Sequence, residues 1–379
     1  MENFVAYNPV RLHFGKDILS QLGEVVAGYG QNVMLMYGKG SIKNNGVYSE
    51  IIKQLNSVNS NIIEYQGIKA NPVIDDVEKA TEIGIEKKVD VIIAAGGGSV
   101  IDSAKITSLC IQENLDPWKV LKVQQVPTKS VPVIVVLTIA ATGSEMNPFS
   151  VVQNHETGEK SALHSELIFP AQSFLDPQYT CSLPADQTSY GISDLIAHSF
   201  EAWFGEGEAR LSDNIVASVI NEAKHYAPLL LNDLTNYNYR ANIMWAATIA
   251  LNGNTIHGRK SGDWAVHAIG HQLSYLFDTA HGATLSIVYP AWFKLMKDRI
   301  PDRIKALAEK IFNTNDIDKF ISELENFYRS INCPVRLSEA GISSSEKDLI
   351  LEYMLKNKVN GYHYKLTEND YINIVDLML

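Results

Sequence analysis

Two stretches in the second half of the chain carry side chains at metal-ligand spacing. In the run from Ser193 to Glu201, Asp194 and His198 stand four residues apart, which puts both on one face of a helix. Further on, His267 and His271 repeat that interval, and His281 follows after a break, next to Gly282. Three of the ten histidines thus fall within fifteen residues, on an otherwise apolar helix and its following loop. A lone histidine in such a setting is more often a satisfied core or surface residue. Together with an Asp/His pair on another apolar helix, the three favour a metal. Imidazoles with one carboxylate suit Fe(II), Zn(II), Co(II) or Ni(II), whereas Mg(II) and Ca(II) take oxygen shells. Residue types alone leave the first four open.

A second chemistry is written in glycines. The apolar run Val91–Ala95 leads straight into Gly96-Gly97-Gly98-Ser99, with Asp102 three residues on. A buried strand, a glycine turn and a helix with Ser99 as its predicted N-cap would present backbone amides to a phosphate. The run departs from the GxGxxG fingerprint, because Ile101 occupies the third glycine's place. An earlier turn, Gly38-Lys39-Gly40-Ser41, follows Tyr37 and precedes Lys43. Dinucleotide folds that take NAD commonly offer the ribose a carboxylate here. The turn has none, and its glycines, hydroxyl and lysines suit a 2′-phosphate, which favours NADP(H). A third cluster holds Thr138, Thr142 and Ser144, small hydroxyls at the end of the run Val131–Thr138. Such residues either meet a ligand at the carboxyl end of a parallel sheet or cap the turn that follows.

The elements that would position these groups change character along the chain. Short Val/Ile-rich runs (Val33–Tyr37, Ile62–Tyr65, Val89–Ala95, Val131–Thr138) alternate with amphipathic stretches such as Asp75–Lys88. Consecutive rather than alternating apolar residues imply strands covered on both faces, hence a parallel, Rossmann-like sheet with helices on both sides. Val151–Asn154 and Glu159–Leu163 read as a β-hairpin, and Gln172–Leu175 as a further short strand. Beyond Pro184 helical patterns take over: Asp186–Phe204, Ser212–Leu231, Tyr239–Asn252, Trp264–Phe277, Ile300–Phe312, Ile317–Ile331 and Ser345–Leu355. The expected organisation is an α/β nucleotide-binding domain over residues 1–183 and an all-α, metal-binding domain over residues 184–379.

Composition narrows the classes. With 379 residues, two domains are the default. A hydrophobic fraction of 46% and a charged fraction of 20% describe a globular chain rather than a disordered one. The formal charge of −11 lacks the basic surface that binds nucleic acid or anionic membranes, so small molecules are the expected partners. Three cysteines without CxxC pairing, each expected to be a small buried hydrophobe, and no signal-peptide h-region or membrane-length apolar run fit the cytoplasm.

Taken in order, these elements resemble the iron-containing (group III) alcohol dehydrogenases, and within them the NADPH-dependent butanol dehydrogenase/aldehyde reductase branch. The likeness runs from Tyr7-Asn8-Pro9 and Phe14-Gly15 through Asn71-Pro72, Gly96–Ser99 with Asp102, and Thr142–Glu145, to Asp194-x3-His198 and His267-x3-His271-x9-His281-Gly282. It implies the dehydroquinate-synthase-like fold of that family and interconversion of aldehydes and primary alcohols with NADP(H). It implies one divalent metal, Fe(II) or Zn(II) before Ni(II) or Co(II), on Asp194, His198, His267 and His281, with His271 beside the nicotinamide. Asn71, Thr138, Lys160 and Tyr179 are further implied cofactor contacts. A homodimer is implied too, and a first strand near Val10–Phe14 could cross to a partner's sheet. Three other readings compete: a glycerol or diol dehydrogenase, a dehydroquinate-synthase-like enzyme on the same fold, and a nucleotide-binding module without catalysis.

Overall fold

The computed structural model describes residues 1–379. Its α/β part is built on six parallel strands: β1 (Arg11–Phe14), β2 (Asn32–Tyr37), β3 (Asn61–Gln66), β4 (Val91–Gly96), β5 (Val133–Leu137) and, after a separate antiparallel hairpin of β6 (Phe149–Asn154) and β7 (Glu159–His164), β8 (Gln172–Leu175). Their order in the sheet is β1-β8-β5-β4-β2-β3. The central strands β4 and β5 are buried at every residue, as their unbroken Val/Ile/Ala composition demands.

Alternate residues of the same strands feed two cores. On one face Met34, Met36, Ile92, Ala94, Val133 and Val135 pack with α3 (Ile74–Glu86) and α4 (Gly98–Ile111). On the other, Val33, Leu35, Ile93 and Ile134 pack with α1 (Leu22–Ala27) and α2 (Val47–Ser57). A third cluster joins α4 to α5 (Pro117–Leu121) through Ile106, Leu109 and Val120. The edge strand β1 pairs in parallel with β8, Arg11 opposite Gln172. Cys110 and Cys333 are buried, but Cys181 is only partly so.

The helical part contains α6 (Ala185–Trp203), α7 (Arg210–Asn232), α8 (Tyr237–Leu251), α9 (Ala265–Phe277), α10 (His281–Met296), α11 (Pro301–Phe312), α12 (Ile317–Ser330), α13 (Lys347–Lys356) and α14 (Glu368–Met378). No helix is long and apolar enough to cross a membrane. The chain divides into two compact units with a boundary in sequence at Leu183/Pro184 and two short segments exchanged. One unit is Tyr7–Leu183 with Thr235–Met244; the other is Met1–Ala6, Pro184–Leu234 and Trp245–Leu379. The exchanged segments are held by packing: Met244 is fully buried in the core that contains Met34 and Ile92. At the other end Glu2 N donates to Gly258 O at 2.9 Å, and Phe4 stacks on His257 with ring centroids 5.0 Å apart.

Candidate metal centre and nucleotide loops

Three helices of the helical unit bring the acidic and imidazole side chains together. Asp194 and His198 share the buried face of α6, His267 lies in the first turn of α9, and His281 is the first residue of α10. Asp194 Oδ1 is 3.6 Å from His198 Nε2 and 3.8 Å from both His267 Nε2 and His281 Nε2. Asp194, His267 and His281 offer ligand atoms that all lie within 4.8 Å of one another. These separations are too long for hydrogen bonds. Asp194 Oδ1 and His267 Nε2 are moreover buried with no hydrogen-bond partner, which is costly unless something else satisfies them. A cation bonded to nitrogen and oxygen at about 2.0–2.1 Å bridges gaps of this size, so the donor set fits a divalent metal.

Ligation needs an ionised carboxyl and neutral imidazoles, and the electrostatics of Asp194 and His198 agree with that, whereas those of His267 without a cation do not. Burial would raise the pKa of Asp194, but the imidazoles of His198, His281 and His267 outweigh it and hold the carboxyl well below the usual range. Burial pushes His198 down to about 4 despite the adjacent carboxylate. His267 is disfavoured as a cation by burial, yet the nearby Asp194 carboxylate and the hydrogen-bonded Glu201 prevail and raise it to about 9. His271, one turn beyond His267, is less buried; its ring centroid lies 5.1 Å from that of His281 and 6.5 Å from that of His267.

The approach of α6 to α10 that makes this cluster possible depends on Gly282. A Cβ at that position would sit 1.9 Å from the carbonyl oxygen of Tyr190, and Ser193 Oγ donates to Gly282 O at 2.7 Å. Gly282→Ala must therefore push α10 away from α6 and carry His281 with it. We expect a lower melting temperature, overpacking costing about 1–3 kcal/mol, together with reduced metal content. Thermal unfolding and metal analysis of the variant check this; unchanged values would mean the helices separate without consequence.

In the α/β unit the glycine turn after β4 has the tightness a phosphate cradle needs. A Cβ on Gly98 would lie 2.4 Å from Thr142 Cγ2, and one on Gly97 would lie 3.0 Å from Ile139 Cβ. Helix α4 opens at Gly98 with no side chain capping it, which leaves its first turn suited to an anion. Ser99 is therefore not the N-cap expected from the sequence. It lies inside the helix, with its hydroxyl donated to the carbonyl of Ala70. The structure brings Asn71 to Lys160, whose Nζ donates to Asn71 Oδ1 at 3.3 Å, and sets Thr138 N on Gly96 O at 3.0 Å. Tyr179 is buried against the α1/α2 face, where burial pushes its phenol up to about 12.

Asp102 and Ser144 act chiefly on each other. Asp102 accepts from Ser144 Oγ at 2.6 Å and from Val151 N at 2.9 Å. Lys105 completes the knot: its fully buried Nζ donates to Ser144 Oγ, Asn147 O and Phe149 O, each at 2.8 Å. Sequence reasoning missed Lys105, although a lysine three residues after Asp102, the two being the only charged residues of α4, was the available signal. Thr142 helps to hold the same loop by accepting from Ser144 N at 3.2 Å.

At the Gly38–Ser41 turn, Gly40 has φ +119°, a conformation that glycine adopts readily, and Gln66 Nε2 donates to Lys39 O at 3.2 Å. Lys43 Nζ lies 5.1 Å from the ring centre of Tyr37 and 4.9 Å from that of Tyr48. One acidic neighbour was not anticipated. Glu64 on β3 accepts from Tyr37 OH at 2.5 Å and Tyr48 OH at 2.8 Å.

Comparison with known proteins assigns the class. Residues 9–177 match the iron-containing alcohol dehydrogenase family, and residues 188–377 match the C-terminal part of the Fe-containing alcohol dehydrogenase family. The chain is 36% identical to a probable NADH-dependent butanol dehydrogenase 1 of Bacillus subtilis, with 100% of each chain covered. It is 34% identical to the NADPH-dependent aldehyde reductase YqhD of Escherichia coli, over 93% of this chain and 92% of the other. Among solved structures, the NADH-dependent butanol dehydrogenase A of Thermotoga maritima superposes with a TM-score of 0.96 at 36% identity, covering 100% of this chain and 99% of that one. The chain belongs to the iron-containing alcohol dehydrogenase family and has that family's fold. It is thus an alcohol/aldehyde oxidoreductase, and membership implies a metal and a nicotinamide cofactor.

Proposed function

We propose that the chain is an NADPH-preferring reductase of small to medium aldehydes, butanal among them, working reversibly on the primary alcohols. Asp194, His198, His267 and His281 hold one divalent ion, Fe(II) or Zn(II) before Co(II) or Ni(II). The observation that carries this reading is the set of buried Asp194 and His267 with half-buried His281, whose ligand atoms lie within 4.8 Å of one another. A cytoplasmic homodimer belongs to the same proposal.

When bound, the metal supplies Lewis acidity toward the substrate oxygen and the nicotinamide supplies or accepts the hydride. The chain's own residues do the rest. Trp264, with its ring centroid 5.2 Å from that of His267 and 6.2 Å from that of His198, gives the site an apolar wall suited to an alkyl chain. His271 delivers the proton that the reduced carbonyl oxygen needs and takes one back in the oxidative direction, since an imidazole changes charge near neutral pH. In the α/β unit the first turn of α4 and the Gly38–Ser41 turn hold the phosphates. Lys39 and Lys43 favour the extra phosphate of NADPH, and the Glu64 carboxylate is already engaged by two phenols. A substrate carrying phosphate and carboxylate fits less well, because Arg259 is committed to Asp213 and Lys260 to Glu206.

The test is a metal-reconstituted assay of NADPH and NADH oxidation with butanal, alongside glycerol and diols in the oxidative direction. Turnover confined to polyols would replace this reading, and cofactor binding without turnover would reduce the protein to a binding module. Chelation is expected to abolish the activity while far-ultraviolet circular dichroism keeps its helical signal, because the ligands sit on helices packed by their own cores. Cooperative unfolding on chelation would contradict that.

A further inference from the structure

We propose that Glu201 is a positioning residue of the metal centre. Its carboxylate fixes the His267 ring so that Nδ1–H is donated away from the cluster and Nε2 faces Asp194. The proposal rests on the reading of His267 as a ligand. Glu201 lies seven residues after Asp194 and three after His198, so it occupies the same face of α6 one turn further on. It is 2% exposed. Its Oε1 accepts from His267 Nδ1 at 2.8 Å and from His267 N at 3.1 Å, and its Oε2 accepts from Trp264 N at 2.5 Å.

Three donors converging on one buried carboxylate constrain both the ring and the backbone beneath it. An imidazole that gives its Nδ1 proton to Glu201 presents the Nε2 lone pair to the cluster, where Nε2 lies 3.8 Å from Asp194 Oδ1 without a hydrogen-bond partner. The backbone arm acts on Trp264, which has φ +67° immediately before α9, a left-handed conformation that L-residues seldom adopt. Asp263 supports the same turn, donating its N–H to Glu201 O at 3.1 Å while its Oδ1 accepts from His363 N at 3.0 Å and Tyr364 N at 2.6 Å. Glu201 thus sets the start of α9 and the rotation of its histidine together.

Glutamine separates these roles because an amide has one acceptor where Glu201 needs two. Either Trp264 N–H or His267 Nδ1–H then faces an NH2 group, and the ring loses its preference for the ligating tautomer. The experiment measures Zn(II) affinity by competition with a chromophoric chelator, and the visible absorption of the Co(II) form, in wild type, Glu201→Gln, Trp264→Gly, the Glu201→Gln/Trp264→Gly double variant and His267→Ala. Glu201→Gln is expected to bind Zn(II) about 10–100-fold more weakly and to alter the Co(II) band. Glycine at 264 relaxes the turn, so a loss transmitted through His267 persists in the double variant. Wild-type affinity in Glu201→Gln, or a loss that vanishes once residue 264 is glycine, overturns the proposal and leaves Glu201 a clamp on the turn. Should the glutamine variant fail to fold, Glu201→Asp provides the same readout with an intermediate loss expected, and an unchanged affinity there is equally fatal. His267→Ala with undiminished affinity would instead refute the ligand assignment itself.

Discussion

Gly38→Asp is expected to lower kcat/KM for NADPH relative to NADH by about ten- to a hundredfold, the equivalent of one charge-assisted hydrogen bond worth about 1.5–3 kcal/mol. The substitution is sterically mild. A Cβ on Gly38 would meet only the Ile68 carbonyl oxygen at 3.5 Å, and the residue does not have the left-handed backbone seen at Gly40. What changes is charge: a carboxylate enters the turn where Lys39, Ser41 and Lys43 are proposed to receive the 2′-phosphate, and it offers the ribose hydroxyls an acceptor instead. Glu64 makes the balance a close one, since a second acidic group already lies on β3. Its pKa is held low, first by the Tyr37 hydroxyl against the opposing effect of burial, with Tyr48 and Lys43 adding to it. The relatives named above include NADH-dependent and NADPH-dependent enzymes, so the measurement matters in wild type as well. Steady-state kinetics with both cofactors at saturating aldehyde decide the point. A wild type that prefers NADH, or a ratio that the mutation leaves unmoved, would remove this turn from cofactor selection.

Much of the sheet was legible because buried parallel strands announce themselves: β4 and β5 are short runs of Val, Ile, Leu and Ala bounded by turns, and β8 lies over the residues the sequence indicates. Helix α10 was not legible. It is buried along nearly its whole length and carries Pro290 in its interior, so no polar face marks a 3.6-residue period and the proline argues against a helix. His281 consequently reads as a loop residue in the sequence, whereas it opens a helix packed on α6 and α9. The glycine turn was found but its cap was mistaken, because Ser99 has an alternative acceptor in Ala70, a partner distant in sequence. The same holds for Asp102. Its partners could not be read from the sequence, because Ser144 and Val151, which donate to its oxygens, are contributed by a later stretch of the chain. Spacing along one helix exposes groups that share a face; it cannot reveal which remote backbone satisfies them.

The second large effect divides the histidines. His267→Ala and His281→Ala are expected to lose bound metal and turnover together, whereas His271→Ala keeps the metal and loses rate. The geometry behind the distinction is the position of each ring relative to Asp194 Oδ1: His198 Nε2 approaches it to 3.6 Å, and His267 Nε2 and His281 Nε2 both approach it to 3.8 Å, although the set of mutually close ligand atoms is Asp194, His267 and His281 and leaves out His198 as well as His271. His271 is nevertheless near enough to act on whatever occupies the site, its ring centroid 5.1 Å from that of His281. Removing one of the proposed ligands leaves Asp194 and its remaining neighbours as uncompensated buried polar groups, so the loss should exceed that of one coordinate bond and compromise the whole cluster. Removing His271 takes away a proton carrier, a role worth about 10²–10⁴-fold in rate. Metal content by elemental analysis and kcat across pH, measured on the same preparations, separate the two classes. A His271 variant purified without metal would place that residue among the ligands, and a His281 variant with full occupancy would take the first turn of α10 out of the centre.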